Sequence, residues 1–499
     1  MEQQRAILLR CASGFPSLPG EDVVRDGGVQ GGGDDAGVDG LPDGVLAALR
    51  SLKMGSAAVG LMITASHNAV GDNGVKVADP SGSMMTQLWE PFADALAGAP
   101  TAEDFVRVVF EFVDEEKIPF GVARPSEILL GRDTRPSGKP SLKLRNRYGG
   151  IAAVVGAVAI DMGILTTPQL HWMVRRRNEG RGASEDEYFR QLSDSFRNAY
   201  DPSVWVDGAN GVGGEKLGRI LNDGVGADFV QKEKAIPHGF STSDAGRRCA
   251  SLDGDADRLV YFRITGEEGR KIDLTDGDKI LSLFSLFIKE QLAKLEEGGE
   301  PAGRARLGAV QTAYANGAST EFLRRMGMEV AFTPTGVKHL HEKASEYDVG
   351  IYFEANGHGT VLFSDNQKAA LRLWEVSQLI NQAVGDALSG FLLVEAILRH
   401  KGWSIEDWNS LYQDLPSRQL KVKVADRSVV TTANAETQVV NPPGLQEAID
   451  AETAKYPNGR CFIRPSGTED VVRVYAEAAT QEAADGLARA VALEVGRSL

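Results

Sequence analysis

Apolar runs that stop abruptly at glycine, serine or aspartate recur along this chain. The run Ala57 to Ile63 ends at Thr64-Ala65-Ser66-His67-Asn68, with Gly71-Asp72-Asn73-Gly74-Val75-Lys76 just beyond. It predicts a buried strand followed by an exposed loop, which puts Ser66 at a strand's carboxyl end, where open α/β sheets place their chemistry. Further strands are expected at 127–131, leading into Arg132-Asp133-Thr134-Arg135, at 203–206, at 259–262 and at 349–353. Residues 151–160 read as a helix between strands, completing a βαβ order with Gly163 to Pro168. Ile280, Phe284, Phe287, Ile288, Leu292 and Leu295 recur at helical spacing, as do Leu487, Val491 and Val495 near the end. Residues from about 13 to 44, rich in glycine and aspartate, are expected as a mobile loop. The charged segment Arg175 to Arg181 reads as a surface loop or a domain boundary. Strands alternating with helices predict several α/β domains.

Composition narrows this to a folded, soluble enzyme-sized chain. Its 499 residues exceed one core, and about 150 residues per domain suggests three or four. The net charge of −15 argues against general affinity for nucleic acid or for an anionic membrane. A phosphate-bearing ligand must then be gripped by local basic groups or by a metal. Three cysteines, Cys11, Cys249 and Cys461, are too few and too scattered for a disulfide framework, so a cytoplasmic location is expected. The apolar run Ala6 to Leu9 is shorter than a signal peptide's core, and residues 151–160 span half of the ~20 positions a bilayer demands.

Chemistry concentrates in four short stretches. Asp253, Asp255 and Asp257 alternate, so an extended chain would aim all three carboxylates at one point, where their repulsion calls for a hard cation such as Mg²⁺. Arg258 and Ile264 stand where an EF-hand loop needs glycine and glutamate, which excludes that site. Ser66 lacks a G-x-S-x-G elbow and is open to two readings, a loop cap or a nucleophile. Lys76 could turn back toward it as a charge partner or proton carrier. Arg464-Pro465-Ser466-Gly467-Thr468, with Arg473 beyond, reads as an anion cradle of two guanidinium forks plus hydroxyl and backbone donors. Glu354-Ala355-Asn356-Gly357-His358 is a polar hairpin turn able to meet sugar hydroxyls. Asp207 to Gly214 does not fit the dinucleotide fingerprint, and His339 with His341 is not at metal spacing.

Together these stretches resemble the phosphohexomutase superfamily, and within it the eukaryotic phosphoacetylglucosamine mutases. The wording Glu-Ala-Asn-Gly-His-Gly-Thr at 354–360 favours that branch over glucose and mannose enzymes. The resemblance runs from about residue 45 to the end, whereas the superfamily's glycine-rich N-terminal motif is not recognisable in residues 10–44. It implies a multidomain α/β protein, three mixed α/β domains (1–174, 175–275, 276–388) plus a C-terminal α+β domain (389–499), with the active site in the central cleft. It further implies that Ser66 is carried as phosphoserine and joins Asp253, Asp255 and Asp257 around one Mg²⁺, with Lys76 beside it. Glu354, Ala355 and Asn356 would meet the sugar, and Arg464, Pro465, Ser466, Gly467, Thr468 and Arg473 the phosphate that is not reacting. The implied reaction interconverts N-acetylglucosamine 6-phosphate and 1-phosphate through a hexose bisphosphate. Alternatives are a phosphoglucomutase or phosphomannomutase, and a catalytically silent phosphosugar-binding protein.

Overall fold

The structure of the protein, a computed structural model, describes residues 2–13, 23–25, 28–32, 41–66, 72–119, 125–135, 157–196, 205–207, 212–217, 230–231, 236, 240, 244–265, 271–299, 305–364, 376–466 and 470–499. They gather into two compact units. The first takes residues 1–198, 202–274 and 378–392; the second takes 199–201, 275–377 and 393–499.

A six-stranded sheet builds the first unit. β1 (Val23–Arg25) and β2 (Gly28–Gly32) form an antiparallel pair at its edge, inside the segment expected to be loop. Glycine-rich backbone can pair there because a strand's own N–H and C=O groups are satisfied across the ladder without side-chain burial. The loop expectation fails again at its other end, where a helix, Leu41–Lys53, begins. β3 (Val59–Ile63) is buried throughout and lies between β4 (Asp72–Ala78), antiparallel to it, and β5 (Glu127–Arg132), parallel to it. β2 continues the sheet beyond β4.

Two further expectations are corrected here. Residues 158–160 belong not to a helix but to β6 (Val158–Ile164), parallel to β5; residues 151–156 lie outside the described set. A short apolar run does not distinguish helix from strand, and here Gly163 takes a left-handed φ of 86° that suits a sheet edge better than a helix. Arg175, Arg176 and Arg177 form the last turn of the helix Thr167–Asn178 and not a loop, their charges lying favourably at its carboxyl end. Arg177 also grips Glu127 through two bonds of 2.9 Å.

Beneath β4, Arg50 of the first long helix is buried against Asp79 with two short bonds, 2.8 and 2.6 Å, and lies 4.9 Å over the Trp89 ring. Arg50→Ala leaves that carboxylate buried and uncompensated, so a loss of roughly 3–5 kcal/mol in urea unfolding is expected. A loss under 1 kcal/mol would show that the pair does not lock this corner.

The first unit's second sheet has strand order β10-β9-β8-β7, from β7 (Trp205–Asp207), β8 (Cys249–Leu252), β9 (Leu259–Thr265) and β10 (Lys271–Thr275). β8 and β9 are antiparallel, with Cys249, Val260, Phe262 and Ile264 in the core, so Asp253 to Arg258 is the turn that joins two buried strands.

The second unit holds an α/β part and an α+β part. In the former, β11 (Leu307–Thr312) runs parallel to both β12 (Glu329–Thr333) and β13 (Val349–Phe353), with helices Gly317–Arg325 and Val337–Ala344 in the crossovers. β14 (Gly359–Phe363) returns antiparallel on β13. In the latter, β15 (Ser417–Lys423), β19 and β18 form an antiparallel sheet, where β18 is Arg460–Pro465 and β19 is Val471–Glu477. A hairpin of β16 (Thr431–Ala433) and β17 (Gln438–Asn441) and the helices Leu445–Thr453 and Gln481–Ser498 complete that part. Leu487, Val491 and Val495 face its core, as their spacing predicts. Among the described residues no helix is long and apolar enough to cross a membrane.

Candidate active site

Ser66 sits just past the end of β3, as expected, and is almost fully buried. Its φ of 52° is left-handed, which costs a non-glycine residue roughly 1–2 kcal/mol and has to be held by neighbours. Two contacts do this. Thr64 Oγ1 accepts from the Ser66 N–H at 3.0 Å, and Arg135 Nη2 donates to the Ser66 carbonyl at 2.7 Å. Asp133 fixes both, accepting from Thr64 Oγ1 at 2.8 Å and from Arg135 Nε at 3.0 Å. The Ser66 hydroxyl is thereby aimed at the turn between β8 and β9, where it donates to Asp253 Oδ2 at 2.9 Å. Gly254 permits this approach, since a Cβ there would lie 2.6 Å from the Ser66 carbonyl oxygen. His67 to Gly71 lie outside the described residues.

Asp253, Asp255 and Asp257 do converge, each offering an oxygen within 4.8 Å of the others. They do so by a different geometry from the extended chain expected. The turn is tight, with Ala256 at a left-handed φ of 58°, and Asp253 Oδ1 accepts the backbone N–H groups of Asp257 (3.0 Å) and Arg258 (3.1 Å). Lys76 on β4 reaches the cluster and not the serine, donating to Asp255 Oδ2 at 2.8 Å and Asp257 Oδ2 at 3.0 Å. Thr167 Oγ1 donates to Asp255 Oδ2 at 2.6 Å.

Burial and the two neighbouring carboxylates push the Asp253 carboxyl well above its usual range. Burial pushes Asp255 the same way, yet Lys76 and the Thr167 hydroxyl outweigh it and hold Asp255 low. Burial alone would pull the Lys76 ammonium down, but Asp255 and Asp257 raise it, so it keeps its proton through the neutral range. Asp255 Oδ1 is buried and has no hydrogen-bond partner among the described residues. A lone pair left bare among mutually repelling carboxylates fits a divalent, oxygen-seeking cation held by Asp253, Asp255 and Asp257. A buried serine hydroxyl beside such a cluster suits metal-assisted phosphoryl transfer.

The other predicted residues lie in the second unit. Glu354, Ala355 and Asn356 form the hairpin turn between β13 and β14. Gly357 takes φ 90° and donates to the Glu354 carbonyl at 2.9 Å, while Asn356 Nδ2 donates to Glu354 Oε2 at 3.3 Å. The turn rests on the first residue of the helix Gly277–Glu297, whose N–H donates to the Ala355 carbonyl at 3.2 Å. A Cβ on Gly277 would fall 1.9 Å from the Glu354 carbonyl oxygen. Gly277→Ala is therefore expected to displace this turn and raise KM at least tenfold, with the core of the unit intact by circular dichroism. Unchanged kinetics would remove the turn from the site.

Arg464 and Arg473 face each other as register partners on β18 and β19, and Ser466 closes the strands by donating from its N–H to the Val471 carbonyl at 2.9 Å. Pro465 ends β18; Gly467 and Thr468 lie outside the described residues. Among the described residues Arg473 Nε is buried without a hydrogen-bond partner, which suits an anion-binding fork.

Thr64, Asp133, Arg135 and Thr167 support the site without having been singled out as site residues from the sequence. Thr167 had a readable signal. Thr166-Thr167-Pro168-Gln169 is a capping box with proline in the first turn, so it marks a helix start within Gly163 to Pro168, which the pattern reads as a strand.

Comparison with known proteins agrees with the geometry. The family model described as phosphoacetylglucosamine mutase AMG1, domain III, matches residues 276–403. The phosphoglucomutase/phosphomannomutase models match at residues 420–494 for the C-terminal domain and 43–90 for alpha/beta/alpha domain I. The phosphoacetylglucosamine mutase of Arabidopsis thaliana is 57% identical over 504 residues, covering 90% of each chain. That of Homo sapiens is 44% identical over 501 residues, covering 91% of this chain and 90% of its own. An Aspergillus fumigatus N-acetylphosphoglucosamine mutase structure in complex with GlcNAc-6P and magnesium has a TM-score of 0.89 at 39% identity, covering 99% of both chains. The chain belongs to the phosphoacetylglucosamine mutase family of the alpha-D-phosphohexomutase superfamily.

Proposed function

We propose that this protein interconverts N-acetylglucosamine 6-phosphate and N-acetylglucosamine 1-phosphate, an isomerase working by phosphoryl transfer through a phosphoserine and a sugar bisphosphate. The observation that carries this is the Ser66 hydroxyl bonded to Asp253 within a buried triad of carboxylates. Phospho-Ser66 gives its phosphoryl group to the free hydroxyl of the sugar phosphate: the Ser66 Oγ–P bond breaks, a P–O bond to the sugar forms, and the proton of the sugar hydroxyl ends on the Ser66 Oγ left behind. The bisphosphate then presents its other phosphate, which returns to Ser66. The same complexes motivate the cofactors, since relatives are solved with magnesium and with glucose 1,6-bisphosphate.

Mg²⁺ held by Asp253, Asp255, Asp257 and the Ser66 oxygen would offset the charge of the transferring group. Lys76, keeping its proton beside Asp255, supplies positive charge or a proton at the same point. Glu354, Ala355 and Asn356 orient the sugar. Arg464, Pro465, Ser466, Gly467, Thr468 and Arg473 hold the phosphate at rest. A division into four domains, 1–174, 175–275, 276–388 and 389–499, gives each one motif, with the helices Thr167–Asn178 and Ala387–Lys401 spanning two of the joins. A phosphosugar is the proposed partner, with neither nucleic acid nor membrane required, and the acidic charge and scattered thiols favour the cytoplasm.

Arg473→Ala removes a charge-assisted grip used equally in ground and transition states. KM is expected to rise roughly ten- to hundredfold with kcat within a few-fold. A fall in kcat at constant KM would move Arg473 from holding substrate to the chemical step. The function itself is tested by turnover on the N-acetylglucosamine, glucose and mannose phosphates side by side. Preference for glucose 1-phosphate would overturn the choice of sugar, and absence of any turnover would favour a silent binder.

A further inference from the structure

Glu436 lies outside every motif above, yet it sits against one of the cradle's two arginines. Its Oε2 is 3.7 Å from Arg464 Nη1. The same oxygen accepts from the Thr335 N–H at 2.9 Å and from Thr335 Oγ1 at 2.5 Å. Thr335 follows β12 and precedes the helix Val337–Ala344, so the carboxylate is tied to a different element from the one that carries it. Its own backbone is built for this placement. Asn434, Ala435 and Glu436, in the turn from β16 to β17, take successive left-handed φ angles of 50°, 54° and 65°. Three consecutive non-glycine residues there are an expensive way to make a turn, and one that persists only where surrounding contacts hold it.

Arg464 is only half engaged. Its one hydrogen bond among the described residues runs from Nε to the neighbouring Pro465 carbonyl at a long 3.4 Å. The gap to Glu436 exceeds that of a bidentate guanidinium–carboxylate pair, and among the described residues Arg473 Nε across the ladder has no partner. The cradle thus contains a resident negative charge, fixed in place by Thr335, close enough to oppose an incoming phosphate and too far to saturate the arginine.

We propose that Glu436 is a positioning residue that weakens the hold of Arg464 on the resting phosphate, so that the sugar bisphosphate can let go of one end and present the other. This rests on the reading of Arg464 as a phosphate ligand given above. The logic is that of differential binding. A phosphate gripped as tightly as two free guanidinium forks allow would favour the bound bisphosphate over its turned-round form and slow the exchange of ends. A like charge fixed nearby lowers the ground-state affinity without removing the donors that give orientation.

Glu436→Gln keeps the shape and the acceptor for Thr335 and removes the charge. Calorimetric titration with N-acetylglucosamine 6-phosphate, on the full chain in a Ser66→Ala background where no transfer occurs, isolates binding from chemistry. Adding E436Q is expected to tighten binding by roughly three- to tenfold. Adding Arg464→Ala should weaken it at least tenfold and cancel the effect of E436Q. With Ser66 restored, E436Q should lower both KM and kcat, the second through slower exchange of ends. Equal or weaker binding by E436Q overturns the proposal, as does an unchanged or raised kcat. An Arg464→Ala chain that binds like its parent overturns it together with the cradle reading, and does so independently of the E436Q arm.

Discussion

Ser66→Ala is expected to reduce mutase turnover by at least ~10³-fold and to abolish the phosphate that intact-mass measurement should find on the parent protein. The size follows from the residue's position. Its Oγ makes a direct bond to the carboxylate cluster, 2.9 Å to Asp253 Oδ2. Among the described residues, Thr167 Oγ1 also donates to that cluster, but from the first turn of a helix and to Asp255. The backbone that orients Ser66 does not depend on its side chain, being fixed through Thr64 Oγ1 and Arg135 Nη2. Alanine should therefore fold normally and keep its affinity for the sugar phosphate within a few-fold. Loss of phosphate without loss of turnover would mean that phosphate reaches the sugar by a route that avoids this serine.

How far such a site can be read from a sequence depends on which interactions define each part. β3 and β13 are legible because each is a continuous apolar run buried on both faces, and their burial is complete. The carboxylate triad is legible as a composition but not as a geometry. Its convergence comes from Ala256 entering the left-handed region and from two backbone N–H groups on Asp253 Oδ1, and alternation does not encode that. Lys76 reads as a partner of the serine because both flank one turn, yet β4 pairs with β3 so that its ammonium meets Asp255 and Asp257.

The stretch before residue 41 misleads for the opposite reason. Its glycines promise loop, whereas β2 is held by backbone pairing with β4, an interaction blind to side chains. Thr167 was hidden because Gly163 to Pro168 reads as a strand, whereas the strand is Val158–Ile164 and Thr167 opens the helix after it. Asp133 and Arg135 stand just after β5 in plain view, but their task of holding the Ser66 backbone appears only when two strands distant in sequence are laid side by side.

Asp255→Asn separates stability from function in the cluster. Asp255 Oδ2 already accepts from Thr167 at 2.6 Å and Lys76 at 2.8 Å, which leaves Oδ1 bare. An amide can keep one oxygen toward those donors, but its NH₂ then occupies the Oδ1 position and turns a donor toward any cation. Turnover is expected to fall roughly 10²-fold or more, with a raised Mg²⁺ requirement. Stability in chelator reflects two opposed effects. Three buried carboxylates repel one another, and burial with Asp257 and Asp255 already drives Asp253 toward its protonated form. Neutralising Asp255 relieves that repulsion but takes from Lys76 the carboxylate whose pairing holds Asp255 ionised, so in chelator the variant's Tm should fall. Added Mg²⁺ should raise the parent's Tm through preferential binding to the folded state and shift the variant's much less. A variant that gains as much from Mg²⁺ as the parent would show that Asp255 does not hold the metal.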